Sequence, residues 1–494
     1  MREIFYSAGS LRDLCIQALS IKVHVAKLPW PSRSLVVTRG INYVNRTLAF
    51  GKAALSRAML GLLFAVALPM STAHALPTYT ASAAGNAHTC ALVSSGGVQC
   101  WGSNVEGQLG NNNIGVNSNL PVDVVGIADA VAIGSGATTS CARLSDNTLR
   151  CWGNSISGQL GDGKGGVSPV PVQVSGIAIG TAVAGGALHM CARLVTGNLS
   201  CWGGNGTGAL GLGPIGGTFP TPQSVPAFGS VSSIGIGSNH SCARMADATL
   251  RCWGSNSSGQ VGDGTTAPVG APTTVSGISN ATSVGAGGSH TCARLSDGTL
   301  RCWGSNSSGQ LGDATFTPRT TPVAVAEITG ALLIALGQNH SCAIVGGGDV
   351  KCWGQGNFGQ LGIGTSPTNR TVPSNVANIT GATRLAAGAQ HTCALIGGGR
   401  VYCWGNNSSG QLGNGTFINT VTPRAVRDGR CVLDIDGDGE INATTDLLLL
   451  TRAALGMNGT AVTQNALGAN PLRGDWAAIR AYLTDDCGMT NLAP

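Results

Sequence analysis

The chain has 494 residues, with 76 glycines, 17 cysteines, 43% hydrophobic, 10% charged and 4% aromatic residues and a formal net charge of +6. So little charge excludes a highly charged disordered chain, and glycine without a strict three-residue period excludes a collagen-like rod. The length allows several domains with a buried core, and the basic balance hints only weakly at an anionic partner.

The first predicted element is a leader. An eleven-residue apolar run from Ala58 to Leu68 follows Lys52 and Arg57 and precedes Ala73-His74-Ala75. That order predicts a secretory signal cleaved near Ala75, and the run is too short for the ~20 residues that span a bilayer. The stretch ahead of Arg46 is longer than a signal needs, so translation starts later or the leader is atypical. Residues 1–75 hold nine of the 28 basic and two of the 22 acidic residues, leaving 19 against 20. They also hold Cys15, leaving sixteen cysteines. The expected product is secreted, periplasmic or on the cell surface.

Beyond Ala75 the cysteines set a period. Cys90 goes with Cys100, Cys141 with Cys151, Cys191 with Cys201, Cys242 with Cys252, Cys292 with Cys302, Cys342 with Cys352 and Cys393 with Cys403. Members of a pair are ten apart, and successive pairs are 50 or 51 apart. One copy reads His290-Thr-Cys-Ala-Arg-Leu-Ser-Asp-Gly-Thr-Leu-Arg-Cys-Trp-Gly304, then Ser305-Asn-Ser-Ser-Gly-Gln-Leu-Gly312. Each copy predicts a β-hairpin: a strand through Cys-Ala-x-Leu, a turn rich in Asp, Gly and Asn, and a strand ending at Cys-Trp-Gly. With the turn midway, the cysteines oppose each other about 4.5–5.5 Å apart at Cα, within reach of a disulfide. A zinc site of both cysteines and the histidine two residues ahead is the rival. Thr139 stands at that position in the second copy and three ligands leave the site incomplete, so disulfides are expected.

A Pro-x-x-Val element recurs from Pro121-Val-Asp-Val124 to Pro423-Arg-Ala-Val426, with none ahead of the first hairpin and one after the last. That offset predicts an all-β, seven-bladed β-propeller of ~50-residue repeats over residues 76–430, its first blade closed by strand 422–426.

The motifs His-[Thr/Ser]-Cys-Ala, Cys-Trp-Gly and Asn-x-x-Gly-Gln-Leu-Gly at this period resemble the regulator-of-chromosome-condensation repeat. The resemblance covers all seven copies, with local departures at Thr139 and at Gly-Ala-Leu-Gly (208–211). The paired cysteines resemble a secreted adaptation of the pattern. Nuclear members of the family are guanine-nucleotide exchange factors, a role that a secretory leader argues against. A secreted bacterial β-lactamase inhibitor protein shares this kind of propeller, which implies enzyme inhibition as an alternative.

Trp101, Trp152, Trp202, Trp253, Trp303, Trp353 and Trp404 occupy the Cys-Trp-Gly site. Packing between blades is expected there rather than an aromatic ligand platform. His88, His189, His240, His290, His340 and His391 are expected to bond buried backbone groups. The candidate partner-binding residues are Arg143, Arg193, Arg244 and Arg294, two after the first cysteine, and Arg150, Arg251 and Arg301, before the second. They either pair with the turn acids Asp146, Asp247 and Asp297 or form an asymmetric basic surface. The propeller's 16 bases against 12 acids are too few for nucleic acid. Gly158 to Lys164 nearly matches a phosphate loop, but Gly165 replaces the magnesium-binding hydroxyl and no strand–helix unit surrounds it. With no Gly-x-Ser-x-Gly elbow either, catalysis is not expected.

Residues 431–494 carry eight acids and three bases. Asp434, Asp436 and Asp438 take positions 1, 3 and 5 of a calcium loop, Gly439 position 6, Glu440 position 7 through its carbonyl and Asn442 position 9. Position 12 is Thr445, and Asp446 reaches the ion only through a one-residue bulge. A helix is predicted from Asp446, stopped by Gly456, and another from Asp475 to Leu483 with Trp476, Ile479 and Leu483 on one face. The segment resembles a dockerin or related extracellular EF-hand-like module. It lacks a second acidic loop, which implies a calcium-stabilised cap more than cohesin binding. Cys431 and Cys487 flank it as an eighth disulfide.

These readings predict a monomeric, secreted, disulfide-braced propeller that binds an extracellular protein or glycan, with one Ca2+ in its tail. No nucleic acid and no membrane span are expected. The alternatives are a propeller-type enzyme inhibitor and a polysaccharide-associated protein tethered by the dockerin-like tail.

Overall fold

The computed structural model describes residues 77–226, 229–364, 368–427, 446–467 and 475–485. Each hairpin forms the middle of a four-stranded antiparallel sheet, and seven such sheets make a seven-bladed propeller. Blade 1 is β1 (Tyr79–Ala84), β2 (His88–Val93), β3 (Val98–Gly102) and β4 (Ser118–Asp123). The order repeats to blade 7, which is β25 (Ala382–Ala387), β26 (His391–Ile396), β27 (Arg400–Gly405) and β28 (Thr420–Ala425). Residues 76–429 form one compact unit.

The expected closure by strand 422–426 is corrected: β28 pairs with β27 of its own blade, Tyr402 opposite Ala425, and no blade borrows a strand. The Pro-x-x-Val element is each blade's outer strand and follows its hairpin; Cys100, for example, lies opposite Val122. The strand missed in the sequence is the innermost one, built of small residues such as Ala281-Thr-Ser-Val-Gly-Ala286. A tandem period fixes the spacing of strands but not which neighbour a strand joins. Seven inner strands converge on the axis, and their small residues are interspersed with larger ones such as Ile236 and Leu336 in no common pattern, so this strand lacks a strong repeat signal. Their ends enclose an axial cavity of about 160 Å³ lined by residues such as Gly85, Gly136, Gly237 and Gly337.

Hydrophobic burial lies between blades rather than in one central core. The cluster of Cys90, Leu92, Val98, Leu109 and Val124 from blade 1 with Ala142, Leu144 and Trp152 from blade 2 is one of seven such seams. The ring closes in the same way, with Tyr79, Ala91 and Trp101 of blade 1 against Leu395, Val401 and Leu412 of blade 7. Backbone bonds from Tyr79 N to Gly399 O (2.8 Å) and Gly415 N to Asn119 O (2.9 Å) join these two blades.

All seven hairpin disulfides are formed, each between directly opposed residues of the second and third strands. Cys90 is bonded to Cys100, Cys141 to Cys151, Cys191 to Cys201 and Cys242 to Cys252. Cys292 is bonded to Cys302, Cys342 to Cys352 and Cys393 to Cys403. The Cα atoms of each pair are 4.0–4.1 Å apart. The expected 4.5–5.5 Å is thereby corrected, because a bridge between facing residues draws the strands together. The sulfurs of all fourteen are spent on one another, so the zinc alternative is set aside. All fourteen side chains are buried; Cys151, Cys201, Cys252, Cys352 and Cys403 belong to the seam clusters and offer nothing to a ligand. The cysteines are bracing residues of the blades and no part of a binding surface. The pair Cys431 and Cys487 lies outside the described residues.

Past residue 445, α1 (Asp446–Ala454), α2 (Thr460–Thr463) and α3 (Trp476–Asp485) bury Leu449, Ala453, Val462, Ile479 and Leu483 against one another. Asp434, Asp436, Asp438, Glu440 and Asn442 lie outside the described residues. No helix among the described residues is long and apolar enough to cross a membrane.

Replacing one bridge by C292S/C302S should lower stability by about 2–3 kcal/mol, the loop-entropy value for so short a loop. A denaturant titration reads it; a larger loss would mean that the bridge also fixes the neighbouring seam.

Candidate functional site

The repeated motifs converge on the seams. In Asn-x-x-Gly-Gln-Leu-Gly the Asn side-chain oxygen accepts the Leu (or Val261) N–H at 2.9–3.1 Å, as from Asn104 to Leu109 and from Asn306 to Leu311. The Gln side-chain oxygen accepts the N–H two residues earlier at 2.8–2.9 Å. This folded loop aims the Gln backbone carbonyl at the next blade, where it accepts the Trp indole N–H at 2.9–3.0 Å: Gln108 from Trp152, Gln260 from Trp303, Gln411 from Trp101. In blade 3 Ala209 supplies the carbonyl to Trp253, which is why that departure is tolerated. The final Gly of the loop has a φ of 64–83°, and a Cβ on it would lie 2.5–2.7 Å from the indole nitrogen. Every one of the seven tryptophans is fully buried. They are packing residues, and the aromatic-platform alternative is excluded.

The histidines make a second crossing, to a side chain and not to the expected backbone groups. His88 Nε2 lies 2.8 Å from Ser140 Oγ of the next blade, and His189, His240, His290, His340 and His391 reach Ser241, Thr291, Ser341, Thr392 and Thr89 at 2.8–2.9 Å. Each hydroxyl gives its proton to the loop carbonyl at 2.8–3.0 Å, as Ser341 Oγ does to Gln310 O. It therefore accepts from the imidazole, which assigns the proton to Nε2. Burial pushes His88, His189 and His340 down to about 4 and His240, His290 and His391 to about 3, the last three helped by neighbouring imidazoles. All six are neutral at pH 7 and hidden from any ligand.

The candidate arginines divide. Arg193, Arg244 and Arg294 donate from Nε to the backbone of the following blade, at Val231 O, Ala281 O and Ala331 O, 2.6–2.7 Å. Arg143 instead bonds Asn147 of its own hairpin at 2.7 Å. Arg150, Arg251 and Arg301 stand at the start of the third strand, beside the turn acids. The carboxylates of Asp146, Asp247 and Asp297 are held below the ordinary range chiefly by hydrogen bonds from Thr148, Thr249 and Thr299, with the arginines a lesser influence. The seven arginines thus do not form one patch.

A surface missed in the sequence lies at the other end of the blades. Topology places the axial mouth, the turns from first to second strand and the long loops from third to fourth strand on one face. On this face blades 7, 1, 2 and 3 expose Phe417, Ile418, Val105, Val116, Ile156 and Leu188, between 49% and 72%. A Cβ on Gly204 would touch both Leu188 and Ser157, the neighbour of Ile156, so the patch crosses from blade 2 to blade 3. Blade 4 has Ser257 and Asn239 at the positions of Ile156 and Leu188. Glu106, Asp162 and Lys164 are the only charges in the sequence of these four blades' long loops. The signal in the sequence is departure from the repeat consensus at loop tips.

A family model described as regulator of chromosome condensation (RCC1) repeat matches residues 196–244, 250–294, 297–344, 347–395 and 398–436. A second model of the same repeat matches 82–108, 130–159, 231–260, 281–310, 333–360 and 382–411. The RCC1 domain-containing protein RUG3, mitochondrial, of Arabidopsis thaliana is 37% identical over 84 residues, 17% of this chain and 19% of that protein. The probable E3 ubiquitin-protein ligase HERC4 of Homo sapiens is 34% identical over 86 residues, 15% and 8% respectively. The chain thus spans less than a fifth of either relative. Among solved structures, yeast RCC1 (Prp20) bound to Kap60 superposes with a TM-score of 0.61 at 19% identity, over 78% of this chain and 91% of that one. Human WBSCR16 gives 0.61 at 21%, over 67% and 94%. At such identities these two show the fold alone.

Two outcomes follow. Gly262→Ala, at φ 83° with its Cβ 2.5 Å from Trp303 Nε1, should cost about 2–3 kcal/mol in a denaturant titration; a neutral result would mean the indole shifts freely. The histidines have folded values of about 3–4 against about 6.5 unfolded, so the unfolded chain binds more protons between those limits. Their stabilisation is complete above pH 6.5 and is lost as pH falls towards 4, by about 2 kcal/mol per imidazole at pH 4.5. Midpoints at pH 7.5 and 4.5 check this.

Proposed function

The chain belongs to the regulator of chromosome condensation (RCC1) repeat family, and from that premise we propose that it is a secreted or cell-surface protein that works by binding another protein. The exposed, nearly uncharged apolar arc on blades 7, 1, 2 and 3 carries this reading. Contiguous apolar surface on a soluble fold marks an interaction site; blade 4 carries Ser257 and Asn239 at the positions of Ile156 and Leu188, and outside the arc blade 5 exposes Phe316 at the position of Phe417. A protein partner is favoured over a glycan because the arc is mostly aliphatic, with Phe417 as its single aromatic residue, and all seven repeat tryptophans are buried. Seven disulfides, one in each blade, support an oxidising compartment. Binding is favoured over catalysis because the repeat histidines and hydroxyls are buried and committed to one another across the seams.

The tail is read as a calcium-stabilised module. Its loop offers three aspartates, a glutamate and an asparagine, and α1 begins at Asp446, directly after it, as the exit helix of such a loop should. A bound ion would supply the charge that lets those carboxylates sit together.

The binding test is affinity capture with mature protein from the producer's own surroundings, followed by purified partner and an inhibition assay where that partner is a hydrolase. Ile156→Asp and Phe417→Asp should each weaken binding at least about tenfold, the effect of a charge at a buried interface centre, without changing the circular dichroism spectrum. Binding unchanged by both moves the site off this face. Calcium calorimetry should give one site, abolished by Asp434→Ala; no heat from the unaltered chain removes the calcium reading.

A further inference from the structure

The seam between blades 2 and 3 is built differently from the other six. Blade 2 has Thr139 in place of the histidine, and blade 3 has Met190 in place of the receiving hydroxyl. The two changes compensate in space. Thr139 Oγ1 turns back to Asn154 O of its own blade at 3.0 Å. Met190 is fully buried, and its sulfur lies 3.2 Å from the place a Cβ on Gly136 would take. In the other blades the imidazole fills that volume, as His290 does beside Gly287 and His340 beside Gly337. Replacing both partners of a buried polar pair by groups of matching volume leaves packing intact. Here it also removes the only group at the seam that can gain a proton.

We propose that the propeller is an acid-opened ring with one acid-indifferent junction: six seams loosen on acidification while blades 2 and 3 stay locked together. At the six seams the Nε2 proton is already given to a hydroxyl whose own proton is given to a carbonyl. The Nδ1 atoms of His88, His240, His290, His340 and His391 are buried with no hydrogen-bond partner among the described residues. A proton added there has no acceptor until the seam parts and water enters, so opening and proton uptake are one event. Facing each imidazole are its own blade's glycine turn and the next blade's hydroxyl. The only charges acting on them are neighbouring imidazoles: His189 on His240, His240 and His340 on His290, His88 and His340 on His391. No carboxylate offsets the first charge, and each charge disfavours its neighbours along the run of histidines from blade 3 through blade 7 to blade 1, which Thr139 interrupts at blade 2.

Hydrogen exchange on the full chain at pH 7.5 and 4.5, corrected for intrinsic rates, tests this. The loop amide of each seam is the probe: Leu109, Leu160, Leu210, Val261, Leu311, Leu361 and Leu412, in blade order. Protection should fall by about 10- to 100-fold at six of them, the linkage expected for one buried imidazole each, while Leu160 at the blade 2–3 seam changes less than about twofold. The exchange T139H/M190S should make Leu160 as acid-sensitive as the rest and add about one proton to the uptake on unfolding at pH 5. H290Q, which keeps a donor to Ser341, should make Leu311 acid-indifferent, and it serves where the double variant does not fold. Equal loss at all seven amides, loss first at Leu160, or an unchanged Leu311 response in H290Q overturns the proposal.

Discussion

The indole–carbonyl bond across each seam is the contact on which the rest of the structure depends. A single four-stranded blade exposes both faces to its neighbours and has no core of its own. The seam supplies one by placing the tryptophan of one blade against the aliphatic residues, disulfide and folded loop of the blade before it. The loop motif then follows as a requirement. Asparagine holds the leucine amide, glutamine rigidifies the turn, glycine admits the indole, and the backbone carbonyl satisfies the only polar atom that the tryptophan buries. Because the accepting atom is main chain, Ala209 can replace glutamine without loss of the bond. Closure needs no exchanged strand, since the contact between Trp101 and Gln411 repeats what every internal seam makes.

Much of this was legible in the sequence. The ten-residue cysteine spacing fixed the hairpins, and direct opposition of Cys292 and Cys302 follows from it. The invariance of the tryptophans marked them as architectural. Two things were not legible. The inner strands mix small residues with scattered larger ones, from Ala281-Thr-Ser-Val-Gly-Ala286 to Leu333-Ile-Ala-Leu336, and share no motif from blade to blade, so the sequence alone does not show that the Pro-x-x-Val strand joins the hairpin before it. The partner of each histidine lies in the next repeat, about 50 residues on, and a motif read within one repeat has no view of that pairing. The joint change at Thr139 and Met190 was the one sequence signal for it, since both departures fall at a single seam.

Residues that hold the ring are the ones that repeat, and residues free to meet a partner are the ones that do not. Arg193, Arg244 and Arg294 vary between blades and yet proved to be inter-blade ties, because half-buried arginines can reach a neighbouring carbonyl. Ile156 and Leu188 vary as well, but their side chains stand exposed on loop tips. Position on the fold, added to variability, separates the two groups.

The central claim is that the closing seam is equivalent to the internal ones. The direct measurement compares the unfolding free energies of Trp101→Ala and Trp303→Ala by denaturant titration. If closure uses the same contact, both lose about 3–5 kcal/mol, as expected for a fully buried tryptophan, and agree within error. A Trp101→Ala chain as stable as the unaltered one, beside a strongly destabilised Trp303→Ala, would contradict the account.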